Sequence, residues 1–278
     1  MVNPKAILYM VVSAIAFTIM NSLIKSVDHL PAMQIVFFRS IGSAAIGLAY
    51  LSRNKIPIIG EHNKLLIARS VIGLIAMSLF FKSLQVMPIA SAISLRYISP
   101  IFAAIMAIFF FREKMRWIQW FYFSLAFAGV VLIKGFDNRI SVEAFSVIMT
   151  CALFSGLVYI LIRKLSGKEH PVRIVTYFMS ISTIIGATSC LFSWESPIGS
   201  QWFLLFGLGI FGYFGQYYMT LGLQSEETSK IVPFKYSEAI FTIIVGWLFF
   251  TEAQSMIAIV GIVLIIGSLS AYAIAGKK

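Results

Sequence analysis

Apolar residues run along this chain in long blocks, and charged residues gather in the gaps between them. Ala6–Ile24 has 19 residues without a charge, Ala144–Ile162 has 19, Ile174–Trp194 has 21, Ser196–Ser225 has 30 and Ala253–Gly276 has 24. A helix needs roughly 20 mostly apolar residues to cross a hydrocarbon core about 30 Å thick. The strict alternation that marks a membrane β-barrel is absent. The pattern predicts ten helices, over about 5–25, 31–51, 65–86, 89–111, 117–134, 143–164, 171–193, 201–224, 230–250 and 254–274. Turn or charge signals separate them, among them DHLP at 28–31, MP at 87–88 and REKMR at 112–116.

Composition agrees with that division. Of 278 residues, 59% are hydrophobic and 12% charged, against about 25% charged in a soluble domain. The fold class is an all-α integral membrane protein. The N-terminus has the Lys and small residues of a signal peptide, but Ala6–Ile24 is longer than a signal core and reads as the first span. Fourteen Lys and Arg residues fall on the side of the N-terminus, and three (Lys25, Lys134 and Arg139) on the other. Both termini are therefore expected to be cytoplasmic, in a multi-pass protein of the inner membrane. The net charge of +11 serves that orientation. No basic domain stands outside the membrane to bind nucleic acid. Cys151 and Cys190 each lie in an apolar run, without the spacing of a disulfide framework or zinc site. No metal or other cofactor is expected.

A shift of 139 residues, half the chain, lays SLRYISPIFAAIMAIFFFRE (94–113) on PFKYSEAIFTIIVGWLFFTE (233–252) without a gap, with seven of 20 positions identical. SLQ (83–85) then falls on GLQ (222–224) and Lys25 on Lys164. The chain reads as two five-helix repeats, 1–139 and 140–278, within one transmembrane domain. Five is odd, so the second repeat enters the membrane from the opposite side. Inverted repeats of this kind are typical of secondary transporters, with substrate near the midplane where the halves meet.

The stretch FFKSLQVMPIASAISLRYISPIFAAIMAIFFFREKM (80–115), with its short turn, Ser/Ala-rich helix start, proline and terminal Glu113, resembles the EamA branch of the drug/metabolite transporter superfamily. The second copy keeps Glu252 but has Ala239 in place of Pro100, and its KYSE (235–238) departs from the pattern. The resemblance covers essentially the whole chain. It implies proton-linked, exchange or facilitated movement of small metabolites, and names no substrate.

Charges inside spans are the candidate chemistry. Each costs about 2.5–3.5 kcal/mol at a helix centre on insertion scales. Arg39, Arg96 and Lys235 must therefore face a cavity or a partner. A pocket for a carboxylate or phosphate fits them, since an arginine fork binds either with two hydrogen bonds. Ion pairing between helices is the other reading. Glu238 is three residues from Lys235 and on the same helix face. It is either a coupling group, its carboxyl desolvated, or an ion-pair partner of Lys235 or Arg96. Tyr97 and Tyr236 match each other in the repeat. With Gln216 and Asn21 they complete the candidate substrate-binding set, helix-to-helix hydrogen bonding being the alternative for Gln216 and Asn21. Arg69 is expected at the interface, and Lys82 to reach water at its helix end. GLGIFG (207–212) spells a dinucleotide fingerprint but lies inside a span, where the motif has no meaning.

The expected function is a secondary transporter of a small amino-acid-like or organic anion, working through a central alternating-access cavity. An exporter of amphipathic or cationic drugs is the alternative. A lipid-modifying enzyme or scramblase is the alternative of another class. His29, His62 and His170 lie in separate loops and the acids are scattered, so no catalytic cluster is indicated. Expected partners are a small-molecule substrate and the lipid bilayer. A proton or counter-substrate as driving partner, and a homodimer as assembly, are left open.

Overall fold

The computed structural model describes residues 3–111, 117–136, 140–225, 231, 234–235, 237–251 and 255–275. Its regular structure, among the described residues, is helical. In chain order the helices are α1 (Pro4–Lys25), α2 (Ala32–Arg53), α3 (Asn63–Val86), α4 (Ile89–Arg96), α5 (Ser99–Phe111), α6 (Trp117–Phe136), α7 (Val142–Leu165), α8 (Pro171–Cys190), α9 (Gln201–Ser225), α10 (Ser237–Phe250) and α11 (Met256–Ala275). By length and composition, α1, α2, α3, α7 and α8 are apolar enough to cross a membrane. Local signals set their ends. Asn3 accepts from the Lys5 N–H at 3.0 Å ahead of Pro4, and Ser141 Oγ accepts from the Ala144 N–H at 3.0 Å with Glu143 in the first turn.

One expected span is broken. Residues 89–111 form two helices, with Tyr97 and Ile98 between them. Pro100 has no N–H to give the Arg96 carbonyl, so the i to i−4 ladder fails there. The Tyr97 N–H returns to Ile93 O, and Ile101 N–H takes Ile98 O instead at 2.9 Å. Arg96 thus stands at the end of a half-helix, as site residues of transporters with discontinuous helices do.

The packing repeats itself across the two halves. α1 lies on α9, and its equivalent α7 lies on α3. α5 packs on α7, and α10 on α1. α2 and α8, which are equivalent, pack on each other, as do α6 and α11. These are the contacts of two inverted five-helix repeats. At the α2–α8 crossing a Cβ on Gly47 would overlap Thr176, and one on Gly186 would press on the Phe37 backbone. Gly47 and Gly186 are 139 residues apart, and so are Phe37 and Thr176. Small residues at equivalent places let the backbones approach, as membrane helices require where lipid supplies no hydrophobic drive.

The two ends are tied by equivalent side chains. At the end where α1 finishes, Gln85 Nε2 donates to Leu30 O at 2.8 Å. Gln34 meets the Glu195 backbone at both its amide groups, 2.6 and 3.0 Å. At the end where α1 begins, Gln224 Nε2 donates to Glu169 O at 3.2 Å, and Arg173 Nε to Pro57 O at 2.9 Å. Gln85 and Gln224 are repeat equivalents, as are Leu30 and Glu169, and Gln34 and Arg173. Phe38 packs edge-on to Trp202 with ring centroids 5.7 Å apart, and the equivalent Tyr177 donates to Asn63 Oδ1 at 2.5 Å.

Candidate functional site

Between the halves lies a cavity of about 90 Å³ whose wall carries four cations, Arg39, Arg69, Arg96 and Lys235. Equivalent positions line it from both repeats: Arg96 with Lys235, Met77 with Gln216, Met20 with Tyr159, Phe80 with Met219 and Arg39 with Phe178. The first of these pairs is charged in both halves, Arg39 with Phe178 in one half, and the other three in neither.

Glu238 organises two of the cations. Its side chain is fully buried. Oε1 accepts from Arg96 Nη2 at 3.3 Å and from Asn21 Nδ2 at 3.0 Å, while Oε2 lies 3.7 Å from Lys235 Nζ. Lys235 is also 3.4 Å from Met219 Sδ. The Tyr97 hydroxyl donates to the Lys235 carbonyl at 3.2 Å, so it stitches the broken helix of one half to the other. The bond from Arg96 to Glu238 and the approach of Lys235 to its second oxygen make Glu238 the counter-ion of both cations, set behind the cavity wall.

Among the described residues, Arg39 and Arg69 have no such partner. Arg39 is 3% exposed and Arg69 1%. Arg39 Nε points to Met20 Sδ at 3.1 Å, and Nη1 to Met77 Sδ and, at 4.0 Å, Met179 Sδ. Thioether sulfur is a weak acceptor. Arg69 Nε and Nη1 are buried without a hydrogen-bond partner among the described residues. Both guanidiniums instead face aromatic rings. Arg69 lies 4.1 Å from the Phe178 centroid, and Arg39 lies 5.8 Å from those of Phe178 and Phe81. Arg96 sits over Phe80 at 3.8 Å and Lys235 over Phe17 at 4.7 Å. A desolvated cation on a ring gains about 2 kcal/mol, whereas burying an ion costs several kcal/mol after relaxation. The rings therefore offset part of the cost and leave the cavity in need of negative charge.

Two glycines make room for these arginines. A Cβ on Gly73 would come within 2.7 Å of Arg69 Nη1, and one on Gly212 within 3.0 Å of Arg39 Nε. Gly73 and Gly212 are again repeat equivalents.

Of the residues expected from the sequence, Arg39, Arg96, Gln216 and Lys235 line the cavity, with Gln216 Nε2 buried and unpartnered among the described residues. Tyr97, Asn21 and Glu238 stand behind the wall. Tyr236, like Glu113 and Glu252, lies outside the described residues. Arg69 is a correction. It was expected at the interface, but Gly73 one turn on and the Phe178 ring enclose it in the cavity wall. Lys82 is 52% exposed, its Nζ 3.8 Å from Glu143 Oε1.

Comparison with known proteins adds the family. The EamA-like transporter family model matches residues 4–135 and again 143–273. The pseudopaline exporter CntI of Pseudomonas aeruginosa is 28% identical over 271 residues, covering 94% of this chain and 93% of that one. Human solute carrier family 35 member G1 is 26% identical over 94% of this chain and 76% of its own. The S-adenosylmethionine uptake transporter of Rickettsia felis is 22% identical over 86% and 81%. One solved crystal structure shares the fold, with a TM-score of 0.76 at 16% identity over 98% of this chain and 97% of its own. With two copies of the family pattern, relatives that are transporters rather than enzymes, and a charged cavity between inverted halves, the chain is a multi-pass membrane transporter of small metabolites and belongs to the EamA-like transporter family.

Proposed function

We propose that the protein carries small organic anions, bearing a carboxylate or phosphate group, by alternating access through the cavity between its halves. One observation carries this reading: three buried cations, Arg39, Arg69 and Lys235, and a part-buried fourth, Arg96, surround a cavity supplied, among the described residues, with one carboxylate, and that carboxylate lies behind the wall. Cationic cargo would meet four like charges in a low-dielectric space. At about 90 Å³ the cavity is smaller than the roughly 300 Å³ or more of an organic-ligand pocket, so the halves part to admit substrate. The relatives include an exporter and an uptake transporter, so the fold serves both directions. Arg39, Arg96, Gln216 and Lys235 contact substrate, joined by Arg69. Glu238 holds Arg96 and Lys235 in place. The repeats meet near residue 139, and the end where α1 begins faces the cytoplasm of a cell with this protein in its inner membrane, as the excess of Lys and Arg there favours.

The test is transport into proteoliposomes across a panel of carboxylates, phosphate esters, amino acids and amphipathic cations. Anions are expected to move, and Arg39→Met to abolish their movement. Transport of the cations alone, unaffected by Arg39→Met, would refute the proposal.

A further inference from the structure

We infer that the substrate carries at least two separate anionic groups, one held by Arg39 and Arg69 and the other by Arg96 and Lys235. The inference rests on the organic-anion reading above and gives it a substrate class.

The four cations are not equivalent. Arg96 and Lys235 share Glu238, at 3.3 and 3.7 Å, so that cluster carries a net charge of about +1. Arg39 meets thioethers, and Arg39 and Arg69 both lie against the Phe178 ring, with no carboxylate in contact among the described residues. They add two further charges. A monoanion bound to either cluster leaves the other uncompensated inside the bundle, and an uncompensated buried ion costs several kcal/mol. A molecule with two anionic groups satisfies both at once. The free donors agree with this. Arg69 keeps two donors, Nε and Nη1, without a hydrogen-bond partner among the described residues. Arg96 has one nitrogen already committed to Glu238 and is held for a second, more weakly bound group. Phe81 and Phe178 lie against Arg39 and Arg69 and Phe80 against Arg96, and all three line the cavity and offer apolar surface to the carbon skeleton joining the charges.

Proteoliposome uptake of matched mono-, di- and tricarboxylates and of a phosphomonoester, by wild type and by Arg69→Met and Arg69→Lys, tests this. The dicarboxylate KM should lie about tenfold or more below that of the monocarboxylate, one charged hydrogen bond being worth that much. Arg69→Met should raise the dicarboxylate KM about tenfold and the monocarboxylate KM by less, so that the ratio between them narrows. Arg69→Lys should restore most of the difference. A purely structural role for Arg69 would lower the amount of active protein for every substrate alike and leave all KM ratios unchanged, which overturns the inference. Equal KM values for mono- and dicarboxylates overturn it too, with organic-anion transport left standing. A phosphomonoester carried as well as the dicarboxylate places both charges on one group and overturns the two-cluster arrangement. No anion transport at all removes both readings. Thermal stabilisation of the purified wild type needs no variant: the dicarboxylate should raise Tm more than the monocarboxylate, and equal shifts count against the inference.

Discussion

In the first half of the chain the cavity positions bear three arginines and no acid. In the second they bear one lysine, with Glu238 just behind it. Yet residues 139 apart occupy matching places throughout: Gly47 and Gly186 at the central crossing, Gly73 and Gly212 beside the arginines, Gln85 and Gln224 at the ends. The halves agree in the small residues and amides that let backbones pack. Apart from the Arg96 and Lys235 pair, they disagree in charge. Glu238 falls where the first half has Ser99, Arg39 where the second has Phe178, and Arg69 where it has Leu208. Packing is thus a property of the repeat, while the chemistry combines one shared pair of cations with places where the copies depart from each other.

The most severe way to break that comparison is to remove the acid that the second half supplies. Glu238→Gln leaves the buried Lys235 and the part-buried Arg96 without this counter-ion and should cost about 3–5 kcal/mol of stability, read as a fall in Tm in detergent. Adding Lys235→Met should recover part of it. A Glu238→Gln protein as stable as wild type would show that the pair does not depend on this carboxylate.

Next come the crossing glycines, where the copies differ in what they touch. Gly186→Ala meets the Phe37 backbone and should cost about 1–3 kcal/mol of overpacking, with no relief from trimming a side chain. Gly47→Ala meets chiefly Thr176 Oγ1, so Thr176→Ala should rescue it. Equal rescue at both sites would mean that the crossing is more symmetric than its contacts.

A smaller effect separates the ends. Glu169 is 5% exposed. Burial works against its charged form, but the His62 N–H at 2.7 Å and Arg173 at 2.5 Å outweigh it and hold the carboxyl below its ordinary 4.5. A carboxyl with a depressed folded pKa stabilises fully above the unfolded value and loses that contribution as pH falls through the folded one. Glu169→Gln should therefore cost about 1–2 kcal/mol near neutral pH, and the gap in Tm from wild type should close in acid, below pH 4.5. Gln34→Leu, its counterpart in task at the other end, should show no such pH dependence. The smallest effect is expected at the exposed Lys82–Glu143 pair, where Lys82→Ala should shift stability by no more than about 0.5 kcal/mol.

Much of this was legible in the sequence, for physical reasons. Charge-free runs reveal spans because hydrocarbon excludes charge, and Arg39, Arg96, Lys235 and Glu238 announced themselves by violating that rule. Arg69 did not, since it lies only seven residues into α3 and a long side chain so placed usually reaches water. Its signal was Gly73, one turn further on, whose twin Gly212 sits against another arginine. Pro100 held the information for the break after Arg96, but a proline is tolerated in many membrane helices. The end ties were not readable, because they join amide side chains to backbone groups of distant loops, a pairing that no periodicity encodes.

The pairing of Arg96 with Lys235 around a single Glu238 has a consequence for the chain taken as two pieces. Two first halves associating with each other would bring six cavity arginines together, with no acid among the cavity-lining residues. Two second halves would bring two lysines and two glutamates, a neutral interior with nothing to attract an anion. Neither fragment can replace the other. A co-expressed pair of separate halves should reconstitute the carrier only as the mixed assembly.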